Sequence, residues 1–150
     1  MSTNFQDLTT TKLGSAAESM LIAEFAKSKN YYPYTPAIDA SHPIDCLMLS
    51  GTSIWMLDLK CKSRRKYFAD TGFDTADVEK YSTYPFPVYI LWADIVQRKI
   101  YGNWLKKLLP YKKVDGVITY FPLDMMIEYR DMTDYEYEQL KKLEQSKYYK

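Results

Sequence analysis

The sequence PIDCLML-SGTS-IWMLDLKCK, residues 43–62, contains two short apolar segments separated by a polar break. Each segment has the length and composition of a β-strand, and Gly51 within the break is a turn signal. Because the connection is too short for a parallel crossover, we predict an antiparallel hairpin. Three charged residues are unusual in this apolar setting: Asp45 in the first segment, and Asp58 and Lys60 in the second.

Two interpretations of these charges follow from the residues alone. Side chains alternate across a strand, so Asp58, Lys60 and Lys62 are predicted to share one face with Met56. Asp and Lys are rarely fully buried without a partner. Asp58 and Lys60 either form an ion pair on an edge strand that faces water, or the carboxylates hold a divalent cation. Mg²⁺ is commonly bound by one or two carboxylates together with substrate phosphate oxygens.

An acid, a short hairpin and then D-x-K on the second strand resemble the PD-(D/E)xK superfamily, the restriction-endonuclease-like nucleases. Asp45 corresponds to the first acid of that motif, and Asp58 with Lys60 corresponds to the pair on the second strand. The literal Pro-Asp dipeptide is absent, because Ile44 separates Pro43 from Asp45. The resemblance implies an α/β fold and a phosphodiesterase activity.

A helix before the hairpin extends the resemblance. Residues 14–18 read GSAAE, which places Glu18 in a Gly-x-x-x-Glu arrangement at the start of a predicted helix. This arrangement looks like that of archaeal Holliday-junction resolvases and related small nucleases. From the residues alone, an acid there either complements the helix dipole or points to a site. The resemblance covers about residues 12–105.

The resemblance implies an Mg²⁺-dependent nuclease acting on DNA, with Mn²⁺ as a substitute metal. Cleavage would be endonucleolytic, guided by substrate structure such as a branch or junction, or weakly sequence-specific. Lys60 would orient the attacking water and neutralise charge on the phosphate. The implied metal ligands are Asp45, Asp58, Glu18 and the carbonyl of Leu59, and the implied catalytic residues are the three acids and Lys60.

A basic run follows the second strand, with five basic residues in the seven positions 60–66. Such a run usually forms a solvated face. Here it continues from the strand that carries the acids, where a nucleic-acid backbone would lie. Lys and Arg contacts to phosphates supply affinity without sequence information. We therefore predict backbone binding by Lys62, Arg64, Arg65 and Lys66.

Hydrophobic periodicity, strand length and turn residues predict the rest of the fold. In chain order we expect a loose segment at 1–11, a helix at about 13–29, an edge strand within 31–39, a turn at 70–73, a helix from Asp74 to about 83 with Asp77 completing a capping box, strands at 88–93, 98–103 and 117–121, and a helix at about 135–147. This order favours an α/β domain with a mixed central sheet flanked by helices. An α-β-β-β-α-β core would span about 12–105, and an extension would span 106–150.

Composition sets the remaining limits. The chain of 150 residues has the size of one domain, and its net charge of +1 means that nucleic-acid affinity must come from a local patch. Cys46 and Cys61 match no zinc pattern with the single His, so we expect reduced thiols. No signal peptide or membrane span is evident, which predicts a cytoplasmic protein (in a host cytoplasm if viral). A phage or mobile-element origin would suit a small stand-alone nuclease.

Two rival functions stay open at this level. One is a catalytically inactive domain of the same fold that binds nucleic acid or another protein. The other is a nuclease directed at RNA, because the 15 Tyr residues offer rings on which single-stranded bases can stack. Small nucleases of this kind often act as homodimers, so the resemblance also implies a second copy as partner.

Overall fold

A mixed sheet, with six strands in the described part of the chain, forms the centre of the fold. The computed structural model describes the backbone of residues 9–35 and 46–148, and the side chains of residues 19–35 and 46–142. The strands are β1 (Tyr32–Tyr34), β2 (Cys46–Ser50), β3 (Ser53–Lys60), β4 (Asp70–Asp74), β5 (Val88–Asp94), β6 (Lys99–Trp104), β7 (Lys113–Asp115), β8 (Ile118–Pro122) and β9 (Ile127–Asp131). The helices are α1 (Thr9–Ser28), α2 (Thr75–Ser82), α3 (Leu105–Leu108) and α4 (Asp134–Tyr148), with short 3-10 turns at Leu109–Tyr111 and Leu123–Met125.

The predicted hairpin is confirmed and lies inside this sheet. β2 and β3 pair antiparallel, with Ser50 opposite Ser53 at the turn. Gly51 has a φ of +55° in that turn, a left-handed conformation that glycine adopts without steric cost. The strand order is β1-β2-β3-β5-β6-β9, and β3 pairs parallel with β5. The second hairpin strand is therefore a central strand.

The central sheet buries both of its faces. On one face, Leu57 and Leu59 of β3 pack with α1 and α4 in a cluster that includes Phe25 and Leu140. On the opposite face, Met56 of β3 joins a second cluster with residues of α2, α3, β4 and β8. Every residue of β5 is buried, as expected for a continuous apolar run covered on both sides. The α/β fold class with helices flanking a mixed sheet is confirmed.

A second, three-stranded sheet with the order β4-β8-β7 was not expected from the sequence. The predicted turn at 70–73 is wrong, because these residues form β4 and pair antiparallel with β8. Gly72 does not lie in a turn; the position is glycine because the backbone of β8 passes very close to it. A Cβ at that position would overlap the backbone carbonyl oxygen of Thr119. The small sheet contributes Phe73 and Phe121 to the second core cluster.

The helices differ from expectation mainly at their starts. α1 begins at Thr9, earlier than the predicted residue 13. Residues 9–11, which were predicted to be loose, are therefore helical. The rest of the predicted loose segment, residues 1–8, lies outside the described residues. Asp74 does precede α2, but its side chain makes no capping hydrogen bond. The predicted capping box is therefore wrong, and Asp77 has other partners, described below. None of the helices in the described residues is both long and apolar enough to span a membrane.

Candidate active site at the end of strand β3

Asp58 and Lys60 lie side by side on the central strand β3, on the same face of the sheet as Met56. Asp58 is 0% exposed and Lys60 is partly exposed. In the parallel register, Asp58 is opposite Ile90 and Lys60 is opposite Trp92. The interpretation of a water-facing edge strand is wrong, because β3 is paired on both sides. The ion pair in that interpretation does exist, with 3.1 Å between Lys60 Nζ and Asp58 Oδ2.

A second carboxylate from helix α2 also contacts the lysine. Lys60 Nζ lies 3.4 Å from Asp77 Oδ2, and Lys80 Nζ lies 3.7 Å from Asp77 Oδ1. The Lys60 ammonium therefore lies against carboxylates from a strand and from a helix. Ion pairs with little exposure hold their geometry better than pairs in open solvent, because fewer water molecules compete for the charges.

Aromatic rings complete the surroundings of the lysine. Lys60 Nζ is 5.1 Å from the centroid of the Phe73 ring and 5.9 Å from that of Tyr81. A cation within about 6 Å of a ring face is attracted to the ring quadrupole. Because the Lys60 side chain is only 18% exposed, these contacts restrict the positions that the ammonium can take. The result is a positive charge held at the end of a rigid strand.

The oxygen atoms at this position have the chemistry of a hard-cation site. Carboxylate and backbone carbonyl oxygens are the ligands that Mg²⁺ prefers, and Asp58 and Leu59 offer one of each. The other predicted ligands, Asp45 and the side chain of Glu18, lie outside the described residues. Among the residues that the structure does describe, no three His, Cys, Asp or Glu side chains group closely enough to hold a metal by themselves. The oxygen ligands that Asp58 and Leu59 offer are of the type that Mg²⁺ prefers. A complete set of ligands would also need Asp45 and Glu18.

Arg65 of the basic run is held within the protein. Its guanidinium donates two hydrogen bonds of 2.6 Å to the carboxylate of Asp70, and its backbone N–H donates to the Asp70 carbonyl. The same guanidinium stacks 3.7 Å from the Tyr120 ring centroid and 4.2 Å from that of Phe68. The hydrogen bonds that Arg65 donates to the Asp70 carboxylate raise the pKa of Arg65. This side chain ties the segment after β3 to the small sheet.

The other basic residues of the run are placed differently. Lys62 and Lys66 are exposed, which suits contact with a phosphate backbone. Arg64 lines a cavity of about 250 Å³ together with Asp94 and Tyr101. Burial and the nearby Asp94 carboxylate raise the pKa of Tyr101, whose hydroxyl donates to Asp94 Oδ2.

The sequence interpretation missed Asp77, Phe73 and Tyr81 as neighbours of Lys60. Asp77 and Tyr81 are four residues apart on α2, and this spacing places them on one face of a helix. The sequence therefore indicates that Asp77 and Tyr81 share one face of α2. The direction in which that face points depends on how α2 packs, which the sequence does not state.

The fold is that of known nucleases, as comparison with solved structures shows. Hjc, a Holliday junction resolvase from the archaeal hyperthermophile Archaeoglobus fulgidus, superposes with a TM-score of 0.55 over 77% of this chain and 91% of its own, at 12% identity. A nuclease from a fusellovirus superposes with a TM-score of 0.50 over 97% of this chain and 98% of its own, at 11% identity. At these identities, the two structures show a shared fold. No protein-family model matches the sequence, and no curated protein matches it either.

Proposed function

We propose that this protein is a metal-dependent nuclease that hydrolyses phosphodiester bonds in DNA, as an endonuclease guided by substrate structure, such as a branch or junction, or with weak sequence specificity. One observation carries the proposal. Asp58 and Lys60 form a close pair on the central strand of a fold shared with nucleases, where an isolated charge would be costly. A buried Asp-x-Lys pair contributes little to stability compared with an apolar pair of similar size. Its presence at this position is better explained by chemistry than by folding.

The proposed metal ligands are Asp45, Asp58, Glu18 and the carbonyl of Leu59. When bound, Mg²⁺ or Mn²⁺ would polarise the scissile phosphate and lower the pKa of a water molecule. Asp45 immediately precedes Cys46, which pairs with Leu57, the residue before Asp58. The proposal requires this antiparallel register to continue by one residue, which would bring Asp45 beside Asp58.

Lys60 has the role of placing positive charge next to the reacting phosphate. Its ammonium is held by Asp58, Asp77 and two aromatic rings, so little reorganisation is needed when negative charge develops. Preorganised charges of this kind stabilise a transition state more than mobile charges do. One of the ammonium protons would be donated to a phosphate oxygen or to the attacking water as a hydrogen bond.

The exposed residues Lys62 and Lys66 would hold the DNA backbone next to this site. Arg64 would add a third contact at the cavity that it lines, and Arg65 would act by fixing the shape of the segment. A homodimer would place two such sites on two strands. Because the basic run continues directly from β3, the bound backbone would reach Lys60 without crossing another element.

The test is cleavage of labelled duplex, single-stranded, flap and four-way-junction DNA, and of matched RNA, with Mg²⁺, with Mn²⁺ and with EDTA. We expect cutting of DNA only when a divalent metal is present. Asp58→Asn and Lys60→Ala should each reduce the rate by a factor of at least about 10². Glu138→Gln is the control, because it removes an exposed carboxylate from α4, which packs on the other face of the sheet.

Three outcomes separate the proposal from its rivals. Metal-dependent cutting that is lost in both site variants and kept in the control supports the proposal. Cutting of RNA alone would replace DNA by RNA as the substrate. If no nucleic acid is cut, and both variants bind DNA like the wild type, the chain is a binding domain and the nuclease proposal is wrong.

A further inference from the structure

A second cavity, of about 550 Å³, opens between the end of α2 and the start of α3, and we call it the aromatic cavity. Its volume lies in the range of about 300–1,000 Å³ that is usual for small-molecule sites. Its walls include Tyr81, Tyr84, Phe86, Pro87, Lys106 and Lys107. No residue predicted as part of the active site is among them.

The wall of the aromatic cavity is a connected series of rings. The ring centroids of Tyr81 and Tyr84 are 5.7 Å apart, and those of Tyr84 and Phe86 are 6.0 Å apart. Tyr84 and Phe86 are both partly exposed, so their rings present surface to the cavity. Pro85 and Pro87 flank Phe86, and because each proline has a fixed φ, this segment loses less conformational entropy on binding.

The charge at the rim of the aromatic cavity is positive. Lys106 and Lys107 belong to its lining and are exposed. Among the described residues that line it, none carries a carboxylate. Stacking rings beside cationic side chains are the combination with which proteins bind single-stranded nucleic acid without reading its sequence.

The aromatic cavity and the candidate active site lie on the same face of the central sheet. Tyr81 lines the cavity, and the same ring lies 5.9 Å from Lys60 Nζ. Both features are built on α2 and on the face of the sheet that carries Met56, Val88 and Ile90. The backbone N–H of Met56 on β3 donates to the carbonyl of Pro87 in the cavity wall. In the register of β3 with β5, Lys60 is opposite Trp92 and the cavity residue Val88 is opposite Met56, so the two features lie four residues, roughly 13 Å, apart along the strands. A single strand that follows this face of the protein for a few nucleotides would reach both.

We propose that the aromatic cavity binds an unstacked nucleobase from a single-stranded part of the substrate, while Lys106 and Lys107 hold the adjoining phosphates. This inference deepens the proposed function and rests on it for the identity of the substrate. It predicts that the enzyme needs an unpaired nucleotide a few positions from the cleaved bond. Junctions, flaps and single strands provide such nucleotides, and a continuous duplex does not.

The probe is a fluorescein-labelled decamer of thymidylate, compared with a decamer of abasic deoxyribose phosphates that keeps the charges and lacks the bases. Binding is measured by fluorescence anisotropy in EDTA, so that no cutting occurs. We expect Phe86→Ala to weaken binding of the thymidylate decamer about tenfold and to leave binding of the abasic decamer unchanged. The double substitution Lys106→Gln/Lys107→Gln should weaken binding of both probes, because it removes phosphate contacts.

The controls address folding and generic aromatic effects. Tyr135→Ala removes an exposed ring from α4, which packs on the other face of the sheet, and should leave binding of both decamers unchanged. Thermal unfolding verifies that each variant is folded. If Phe86→Ala fails to fold, the preference of the wild type for the thymidylate decamer over the abasic decamer still tests base binding.

Failure of this inference is distinguishable from failure of the proposed function. If the wild type binds both decamers equally, or if Phe86→Ala binds thymidylate like the wild type, the inference is wrong even if the protein cuts DNA. If the protein cuts nothing but prefers thymidylate in a way that depends on Phe86, the nuclease proposal is wrong and the base-binding cavity stands. An affinity of the cavity for proline-rich peptide, with no preference for thymidylate over the abasic decamer, would also overturn it.

Discussion

Lys60 on β3 and Asp77 on α2 approach to 3.4 Å between Nζ and Oδ2, although 17 residues separate them in sequence. The contact joins Lys60 to α2, an element outside the hairpin that carries Asp58 and Lys60. Asp77 is half-buried and also contacts Lys80, so it is itself held in position. Asp77 is therefore a candidate positioning residue for Lys60, acting through the ammonium rather than touching the substrate.

Removing the Asp77 carboxylate tests this role. We expect Asp77→Ala to lower kcat for cleavage about tenfold, which corresponds to the loss of one charge-assisted hydrogen bond, and to leave KM unchanged. Asp77→Glu should recover part of the rate, because it restores the charge near Lys60. Steady-state kinetics on the preferred DNA substrate measure both quantities.

The control for Asp77 is Glu79→Ala, which removes an exposed acid from the same helix. It should retain the wild-type kcat. A kcat for Asp77→Ala equal to that of the wild type would show that Asp58 and the rings are sufficient to hold Lys60.

The basic run should divide into residues that bind DNA and one residue that holds the fold. Lys62→Gln and Lys66→Gln should each reduce the slope of log Kd against log salt by about 1, because each removes one phosphate contact. Arg65→Gln should leave that slope unchanged and lower the temperature of unfolding, because it breaks the bidentate pair with Asp70. Anisotropy titrations at several salt concentrations and thermal unfolding measure the two effects.

The converse pattern would contradict this division. If Arg65→Gln reduced the salt slope and left stability unchanged, the guanidinium would have to leave Asp70 and Tyr120 when DNA binds. Asp70→Asn is the matched variant, since it weakens the same clamp without removing a positive charge.

The hairpin and its buried charges were predictable from sequence because both depend on local patterns. Alternation along β3 assigned Asp58, Lys60 and Met56 to one face, and the structure confirms this assignment. The length of the apolar run at 88–93 predicted a strand covered on both faces, and β5 is such a strand. These features follow from residues close together in the chain.

The small sheet and the partners of Lys60 were not predictable in the same way. β7 is three residues long and fully exposed, so it has no apolar pattern to detect. Gly72 resembles a turn signal, and only its approach to Thr119 on β8 explains why the position is glycine. The contacts of Asp77 with Lys60 and of Arg65 with Tyr120 form when separate elements pack, which local propensity does not encode.

Gly102 on β6 should be intolerant of any side chain. A Cβ at this position would overlap the backbone carbonyl oxygen of Ile90 on β5, and neither strand can move without disturbing the buried sheet. We expect Gly102→Ala to lower the free energy of unfolding by about 1–3 kcal/mol, as overpacking in a core does. Denaturant titration followed by circular dichroism measures the change. Gly51→Asn is the control and should be near neutral, because Asn tolerates positive φ and the surrounding space is open.

Stability at low pH should depend on Glu136, which lies in the first turn of α4 and pairs with Arg130 of β9. Arg130 donates two hydrogen bonds of 2.7 Å to the two oxygens of Glu136, and it also pairs with Glu24 of α1. Burial alone raises the pKa of Glu136, but the hydrogen bonds from Arg130 and Thr133 outweigh it, so the net pKa is lowered from 4.5. The charged form of Glu136 therefore stabilises the fold.

The sign of this pH dependence follows from the lowered pKa. The contribution of Glu136 is fully present above its ordinary pKa of 4.5 and is lost as the pH falls through the lower folded value. Glu136→Gln should cost about 1.5–3 kcal/mol at pH 7, and this difference from the wild type should shrink as the pH falls below 4.5. Urea titrations between pH 7 and pH 3 measure it, with the exposed Glu138→Gln as the control. A difference that stayed constant down to pH 3 would mean that Glu136 acts by shape and not by charge.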